Sequence, residues 1–195
     1  MQKYNNTNFL KDLIDSDFLF VRPSSYSRES NSKMRLNLGL SNNLEIANIL
    51  DLNKSLKQLI RLIKDFTKTP AFSIFIWVEE HSTVELLNHL LKKKNSLVQI
   101  DIKTTPPSQK KNSKVPQLLL ILGTPYGYYN SSIYYNFFQA NIFLICKINS
   151  ESDKNLFGCY KVFNDLSDIK KIIFLSVLIN KAISEFSSSE TIAVR

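Results

Sequence analysis

The sequence predicts an α/β domain, with a doubly wound, mostly parallel sheet of about five strands and helices on both faces. Apolar runs that are too short for helices alternate with longer segments of helical periodicity. The clearest case lies near the C-terminus, where strands at 142–146 and 158–163 precede a helix at 169–183. Asn164 and Asp165 stand where the N-cap of that helix is expected. This order of elements is typical of the last part of a wound α/β domain.

The same alternation runs through the upstream sequence. Strands are predicted at 46–50, 71–78, 97–102 and 117–122. Helices are predicted at 8–20, from Asp51 or Asn53 to 67, and from Ser82 or Thr83 to 93. These elements indicate a Rossmann or flavodoxin-like architecture. We expect an N-terminal helix and extended basic arm at 1–43, the α/β domain at 44–185, and a flexible C-terminal tail at 186–195.

Length and composition favour one self-sufficient domain. A chain of 195 residues can bury roughly 70% of its unfolded surface, so it needs no disulfide or metal for stability. Cys146 and Cys159 form no CxxC pair, and the apolar run around Cys146 predicts a reduced core residue. No apolar run approaches the roughly 20 residues that span a bilayer, and the opening residues resemble neither a signal nor a transit peptide. We therefore expect no membrane association.

The positive charge is distributed unevenly along the chain. The net charge is +8, and the segments 22–35, 54–68 and 91–114 carry +3, +4 and +6, so the rest of the chain is acidic. A basic excess confined to a few segments is typical of a protein with a polyanionic partner.

The predicted helix at 51–67 carries cations along one side. At 100° per residue, five of them fall within an arc of roughly 80°. They are Lys54, Lys57, Arg61, Lys64 and Lys68. The opposite side is apolar and predicts a core-facing surface. The row can be an ordinary solvated helix face. However, Asp65 is the only nearby acid, and the five like charges repel one another. This pattern favours an external anion as the group that neutralises them.

The sequence contains no convincing catalytic constellation. The loop at 123–130 follows a predicted strand, where ligands of open α/β sheets bind, but it has no Gly-rich phosphate motif. Glu79, Glu80 and His81 also follow a strand, yet nothing else converges on them. His81 and His89 lie eight residues apart, too far for ligation of one metal from adjacent helical turns, and we treat both as structural. We expect no catalytic residue, no cofactor and no metal.

Composition also indicates an origin. Asn, Lys, Ile, Phe and Tyr are abundant, and Lys outnumbers Arg twenty to five. Such a bias follows codon content more than fold, and it indicates an AT-rich genome such as that of an organelle. A protein made inside the organelle would need no presequence, which agrees with the N-terminal sequence.

Several segments resemble, in order, the universal small-subunit ribosomal protein family number two. Residues 49–55 (ILDLNKS) resemble the family's strand and Leu-x-Lys-Thr helix, and residues 74–79 (IFIWVE) resemble its next strand. Residues 37–40 (NLGL) resemble its HLGH motif.

The C-terminal part carries the rest of this resemblance. Asn149-Ser150 and Asp153 stand for residues of the family's DTNSDP loop, and Asn164-Asp165 for its IPGNDDA turn, which precedes the final helix. Where the family has a long helical hairpin, this chain has only a basic loop at 103–115. The chain therefore resembles a divergent mitochondrial member that lacks the hairpin.

The resemblance implies a structural protein of the mitochondrial small ribosomal subunit, and the composition indicates that it is encoded in the organelle. Its partners would be small-subunit ribosomal RNA and neighbouring ribosomal proteins, with no small-molecule substrate. RNA phosphates would be bound by Arg22, Arg28, Lys33, Arg35, Lys54, Lys57, Arg61, Lys64, Lys68, Lys92, Lys93, Lys94, Lys103, Lys110, Lys111 and Lys114. The arm at 22–35 would order on binding.

Two other functions remain open from the residues alone. One is a small-molecule-binding α/β enzyme that uses the loop at 123–130. The other is an RNA-binding protein outside the ribosome. Tyrosines and phenylalanines at 126–138 either pack a short helix on the sheet or stack on bases.

Overall fold

The fold was analysed in a computed structural model of the chain. The structure describes residues 6–21, 37–41, 44–47, 49–66, 72–91, 98–107, 115–123, 141–146, 160–164, 166 and 168–190. In chain order the elements are α1 (Asn6–Asp15), β1 (Phe20–Val21), β2 (Asn37–Ser41), β3 (Leu44–Ala47), α2 (Ile49–Phe66), β4 (Ser73–Val78), α3 (His81–Leu91), β5 (Gln99–Lys103), β6 (Leu118–Leu122), β7 (Asn141–Cys146), β8 (Tyr160–Phe163) and α4 (Ile169–Glu190).

The central sheet confirms the predicted fold class. Its five strands lie in the order β5-β4-β6-β7-β8, and every neighbouring pair is parallel. Counted within this sheet the order is 2-1-3-4-5, as in flavodoxin-like folds. The chain leaves β4 towards one edge and later adds β6, β7 and β8 towards the other. The strand order therefore reverses between β4 and β6.

Both faces of this sheet are buried, which explains why its central strands are apolar at successive positions. On one face, Ile76 of β4 and Leu120 of β6 belong to a single core cluster with side chains of α2, α3 and α4. On the other face, Trp77 and Ile121 are also fully buried. The Trp77 indole Nε1 donates to the Thr104 carbonyl oxygen at 3.0 Å, so its polar atom is satisfied.

The described helices α2, α3 and α4 share one face of the sheet. Helix α4 packs against both α2 and α3, while α2 contacts β8 and α3 contacts β4 and β5. The predicted helix in the aromatic segment 126–138 lies outside the described residues. Helices α2, α3 and α4 therefore form one layer, in which α4 contacts both of the others. The outer sides of these helices form the surface of that layer.

A second, antiparallel sheet with the order β1-β3-β2 precedes the main domain. The sequence analysis predicted neither β1 nor β2. It predicted a strand at 46–50, and the C-terminal end of that prediction is wrong. β3 ends at Ala47, and Ile49 and Leu50 already form the first turn of α2. Neither Asp51 nor Asn53 therefore caps this helix. The predicted domain boundary at residues 43 and 44 falls between the paired strands β2 and β3.

Helix α1 is shorter than predicted because a left-handed residue ends it. Asp17 has φ 55°, and the Phe18 amide donates to the Leu13 carbonyl oxygen while the Asp17 amide donates to that of Ile14. These two bonds form a Schellman motif with aspartate in the place that glycine usually takes. The chain then turns into β1 instead of remaining helical to residue 20.

The N-caps of α3 and α4 also differ from the predicted ones. The Asp168 carboxylate accepts the Lys170 amide at 3.0 Å, so Asp168 caps α4 and Asn164 does not; Asp165 lies outside the described residues. In α3 the first helical bond, from Val84, ends on the Glu80 carbonyl oxygen, so the helix begins before Ser82 and Thr83. At the other end, α4 continues to Glu190 instead of stopping near 185. None of the described helices is long and apolar enough to cross a membrane.

Asn164 has a different role, in attaching the N-terminal segment. It is completely buried, its side-chain Nδ2 donates to the Phe18 carbonyl oxygen at 2.6 Å, and its Oδ1 accepts the Leu166 amide at 3.0 Å. The buried Lys171 of α4 donates its ammonium to the carbonyl oxygen of Phe20. Both side chains thus hold the turn after α1 against the start of α4.

Candidate nucleic-acid interface

Helix α2 is oriented by its apolar side. Leu52, Leu56, Leu59 and Ile63 are each at most 4% exposed and belong to the core cluster. Burial of such a side chain stabilises the fold by about 1.5–3 kcal/mol. An exposed ion pair contributes at most about 1 kcal/mol, so the apolar side, and not surface charge, determines which way the helix faces.

The opposite side of α2 presents the predicted cations to solvent. Lys54, Lys57 and Arg61 are exposed and Lys64 is half-buried. From Lys54 to Lys64 the row spans about 15 Å along the helix axis, at about 1.5 Å per residue. Asp65 is exposed at the end of this row. The four described members of the predicted row therefore share one surface.

This surface, the cationic face of α2, suits an extended polyanion better than a single small anion. The cations are spread along the helix, whereas a small anion would need several donors converging on one point. Each phosphate that such a face neutralises releases counterions and contributes to affinity independently of sequence. The arrangement can position a nucleic-acid backbone.

Lys103 does not join this face. It is exposed at the end of the edge strand β5, and its register partner is Trp77, so it lies on the side of the sheet away from the helices. Helix α2 instead contacts β8, at the opposite edge. The structure thus separates Lys103 from the cationic face of α2. The other predicted RNA-binding residues lie outside the described residues: Arg22, Arg28, Lys33, Arg35, Lys68, Lys92, Lys93, Lys94, Lys110, Lys111 and Lys114.

The switch point between β4 and β6 is the place where an enzyme of this architecture would bind its ligand. Glu79 follows β4 there, and Gly123 follows β6 with φ +79°. A Cβ at position 123 would lie 2.7 Å from Glu79 Oε2, so the carboxylate rests directly on the glycine backbone. A carboxylate at this position repels phosphates, which weighs against a nucleotide or flavin site at the start of the loop 123–130.

The histidines and other potential ligands form no site within the described part of the chain. His81 and His89 are both exposed on α3. Among the residues that the structure describes, no three His, Cys, Asp or Glu side chains are grouped so that they could hold a metal ion.

The sequence analysis missed one surface feature of α4. Ile169, Ile173 and Val177 are 63%, 41% and 54% exposed, and their spacing places them in one row, called here the α4 ridge. Lys170 lies beside this row, and its ammonium is 2.9 Å from Asp17 Oδ2. The hydrogen bond and the charge of that carboxylate raise the pKa of Lys170. The apolar row was hidden in the sequence because α4 is apolar on several sides.

Comparison with models of known protein families finds none that matches this chain, and comparison with curated protein sequences finds no match either.

Proposed function

We propose that this chain is a structural protein of the small subunit of a mitochondrial ribosome and that the cationic face of α2 binds small-subunit ribosomal RNA. The observation that carries the proposal is the exposure of Lys54, Lys57 and Arg61 on a helix whose other side is buried in the core. The resemblance of segments that cover most of residues 36–184 to the ribosomal family is the reason for proposing ribosomal RNA as the partner.

In this proposal the fold acts as a rigid plate. A parallel sheet that is buried on both faces holds α2 in a fixed position, so the cations are presented without a change in the backbone. Only the rotamer freedom of the lysine and arginine side chains is lost when phosphates bind. Cations outside the described residues, including the arm at 22–35, would add further phosphate contacts.

Charge reversal on α2 tests this proposal. The variant Lys57→Glu, Arg61→Glu, Lys64→Glu should lose incorporation into the small subunit, because it replaces attraction to phosphates by repulsion. Incorporation is measured by sedimentation of ribosomal subunits, and the far-UV circular dichroism and unfolding midpoint of the free variant show whether it folds. Lys11→Glu, which reverses an exposed cation on α1 outside the cationic face, is the control and should leave incorporation unchanged.

The same experiment separates the competing functions. Unchanged incorporation of the folded triple variant would contradict the proposed RNA face. Failure of the wild-type chain to co-sediment with the small subunit, together with salt-sensitive RNA binding, would favour an RNA-binding protein outside the ribosome. Tight binding of a nucleotide or flavin at high salt would favour an enzyme, since binding to a phosphate backbone weakens steeply with salt.

A further inference from the structure

An exposed aromatic ring lies on the strand over which α2 packs. Tyr160 is the first residue of the edge strand β8 and is 37% exposed, and no other aromatic side chain that the structure describes is as exposed. Its register partner on β7 is Phe143, which belongs to the core cluster. Tyr160 therefore lies on the side of the sheet that carries the helices, at the edge where α2 contacts β8.

The Tyr160 ring is held in place from one side only. Its centroid lies 6.0 Å from that of Phe143, with an angle of 23° between the stacked rings, and Phe143 is fully buried. Because β8 is the edge strand, the side of the Tyr160 ring away from Phe143 faces the edge of the sheet and not another strand of it. The ring is thus oriented before any ligand binds, which lowers the entropy cost of binding.

The cationic face of α2 lies close to this ring. A helix with its side chains is about 10–12 Å across, so the outer side of α2 is about one helix diameter from the strand on which it packs. Lys54 and Arg61 are exposed on that outer side. A few nucleotides of a single strand cover such a distance, at about 3.4 Å per nucleotide. Cations that follow a backbone, with an aromatic ring beside them, are the arrangement by which proteins bind single-stranded nucleic acid.

We propose that Tyr160 stacks on an unpaired base of the RNA whose phosphates are bound by the cationic face of α2, so that this surface selects single-stranded over duplex RNA. The inference rests on the proposed function, since the phosphates bound by α2 bring the base to the ring. Every base has a π-face, so the stacking tolerates any sequence.

Two other occupants would not use the ring. The bases of duplex RNA are stacked on one another inside the helix and are not available to Tyr160. A peptide strand added to the edge of β8 would bind through backbone hydrogen bonds, with little dependence on the aromatic ring. Neither occupant brings the cations of α2 and the ring of Tyr160 to bear on one ligand.

Binding of the full chain to two RNA probes tests the stacking. The probes are a fluorescent oligouridine and a blunt RNA duplex, and fluorescence anisotropy at several salt concentrations measures the affinities. Tyr160→Val should lower the affinity for oligouridine by about 5- to 150-fold, the range for one base stacked on an aromatic ring, and leave that for the duplex unchanged. Its salt dependence should equal that of the wild type, because no charge is removed, whereas Lys54→Gln should lower the salt slope for both probes.

Two further variants control for folding and packing. Tyr160→Phe keeps the ring and its contact with Phe143, so it should bind oligouridine as the wild type does. Val is a good strand former, and far-UV circular dichroism shows whether Tyr160→Val folds. Tyr160→Leu, which keeps an apolar contact with Phe143 but has no ring, takes its place if it does not, with the same expected loss.

The outcomes separate this inference from the proposed function. Equal oligouridine affinities of the wild type and the folded ring-free variant would overturn the stacking, as would an equal loss for both probes or a loss as large in Tyr160→Phe. Each of these results leaves the cationic face of α2 to be judged by Lys54→Gln and by incorporation into the subunit. If Tyr160→Val has the expected effect but the wild type does not co-sediment with the small subunit, the stacking stands and the ribosomal placement falls. If the wild type binds neither probe, both fall together.

Discussion

Helices α2 and α4 lie side by side in one layer, yet their outer faces differ in chemistry. Both bury leucines in the same core, and both leave one side in solvent. On α2 that side carries Lys54, Lys57 and Arg61, whereas on α4 it carries Ile169, Ile173 and Val177. A single helical layer therefore presents two chemically different surfaces, one cationic and one apolar.

The comparison also shows what sequence periodicity can reveal. On α2, charge marks the outer side, so the core-facing and solvent-facing residues separate on a helical wheel. On α4, apolar residues occupy the inner and the outer side, and only the packing shows which of them are exposed. The cationic face of α2 was predictable for this reason, and the α4 ridge was not.

Alanine substitutions on the inner faces should have the largest effects. Leu56 of α2 and Leu175 of α4 are both fully buried. Each change to alanine should lower the free energy of unfolding by about 2–5 kcal/mol, because it removes buried methyl groups and leaves a cavity. Urea denaturation followed by circular dichroism measures the change.

The outer faces provide the controls. Lys57→Ala and Ile173→Ala should each change the free energy of unfolding by no more than about 0.5 kcal/mol, since they are surface substitutions. If Ile173→Ala destabilised the chain as strongly as Leu175→Ala, the α4 ridge would belong to the core and the contrast with α2 would disappear.

The next largest effect on stability should come from Asn164, which joins the turn after α1 to the start of α4. Among the described residues, α2 has no counterpart to this junction. Asn164→Ala removes both the donor to Phe18 and the acceptor for Leu166, so it should cost about 1–3 kcal/mol of stability by leaving buried groups unpaired. Asn164→Asp keeps the acceptor and loses the donor. Amide hydrogen exchange should show increased opening of α1 in both variants, and unchanged protection of α1 in Asn164→Ala would contradict this role.

The sequence predicted the central sheet well because its strands are short, apolar and buried on both faces. The positions of β4 to β8 differ from the prediction by no more than two residues at either end. β2 and β3 were harder to predict, since NLGLS and LEIA contain a single β-branched residue, and their pairing stabilises them instead.

Long-range contacts account for the remaining differences. Asn164 was a reasonable N-cap by position, but its side chain bonds the Phe18 carbonyl oxygen, 146 residues away in sequence. Local pattern contains no information about that partner. Asp168, which is closer to the helix, caps α4 instead. The separation of Lys103 from α2 likewise follows from strand order, which residue charge alone does not reveal.

A smaller effect should distinguish the two outer faces in RNA binding. Lys57→Gln should reduce the slope of log affinity against log salt concentration by about 0.7–0.9, the value for one phosphate contact. Ile173→Gln should leave the slope unchanged, because it removes no charge. Fluorescence anisotropy with a small-subunit RNA fragment at several salt concentrations measures both, and equal slopes for Lys57→Gln and wild type would remove Lys57 from the RNA face.

The smallest effect should come from the ion pair that borders the α4 ridge. Lys170 and Asp17 are both substantially exposed, so their pair contributes little to stability in water. The pKa of Lys170 is raised above its ordinary 10.5 by the hydrogen bond and charge of Asp17. Its contribution should be fully present below pH 10.5 and be lost as the pH rises through the raised pKa, because the folded state then releases its extra proton.

Lys170→Met tests this dependence, since it keeps the aliphatic stem and removes the charge. The wild type should have a slightly higher unfolding midpoint than the variant at neutral pH, and the difference should disappear in strongly alkaline solution. Lys11→Met, at an exposed lysine of α1, controls for the general effect of net charge. A difference that persisted after deprotonation would mean that packing of the lysine stem, and not the ion pair with Asp17, stabilises this edge of α4.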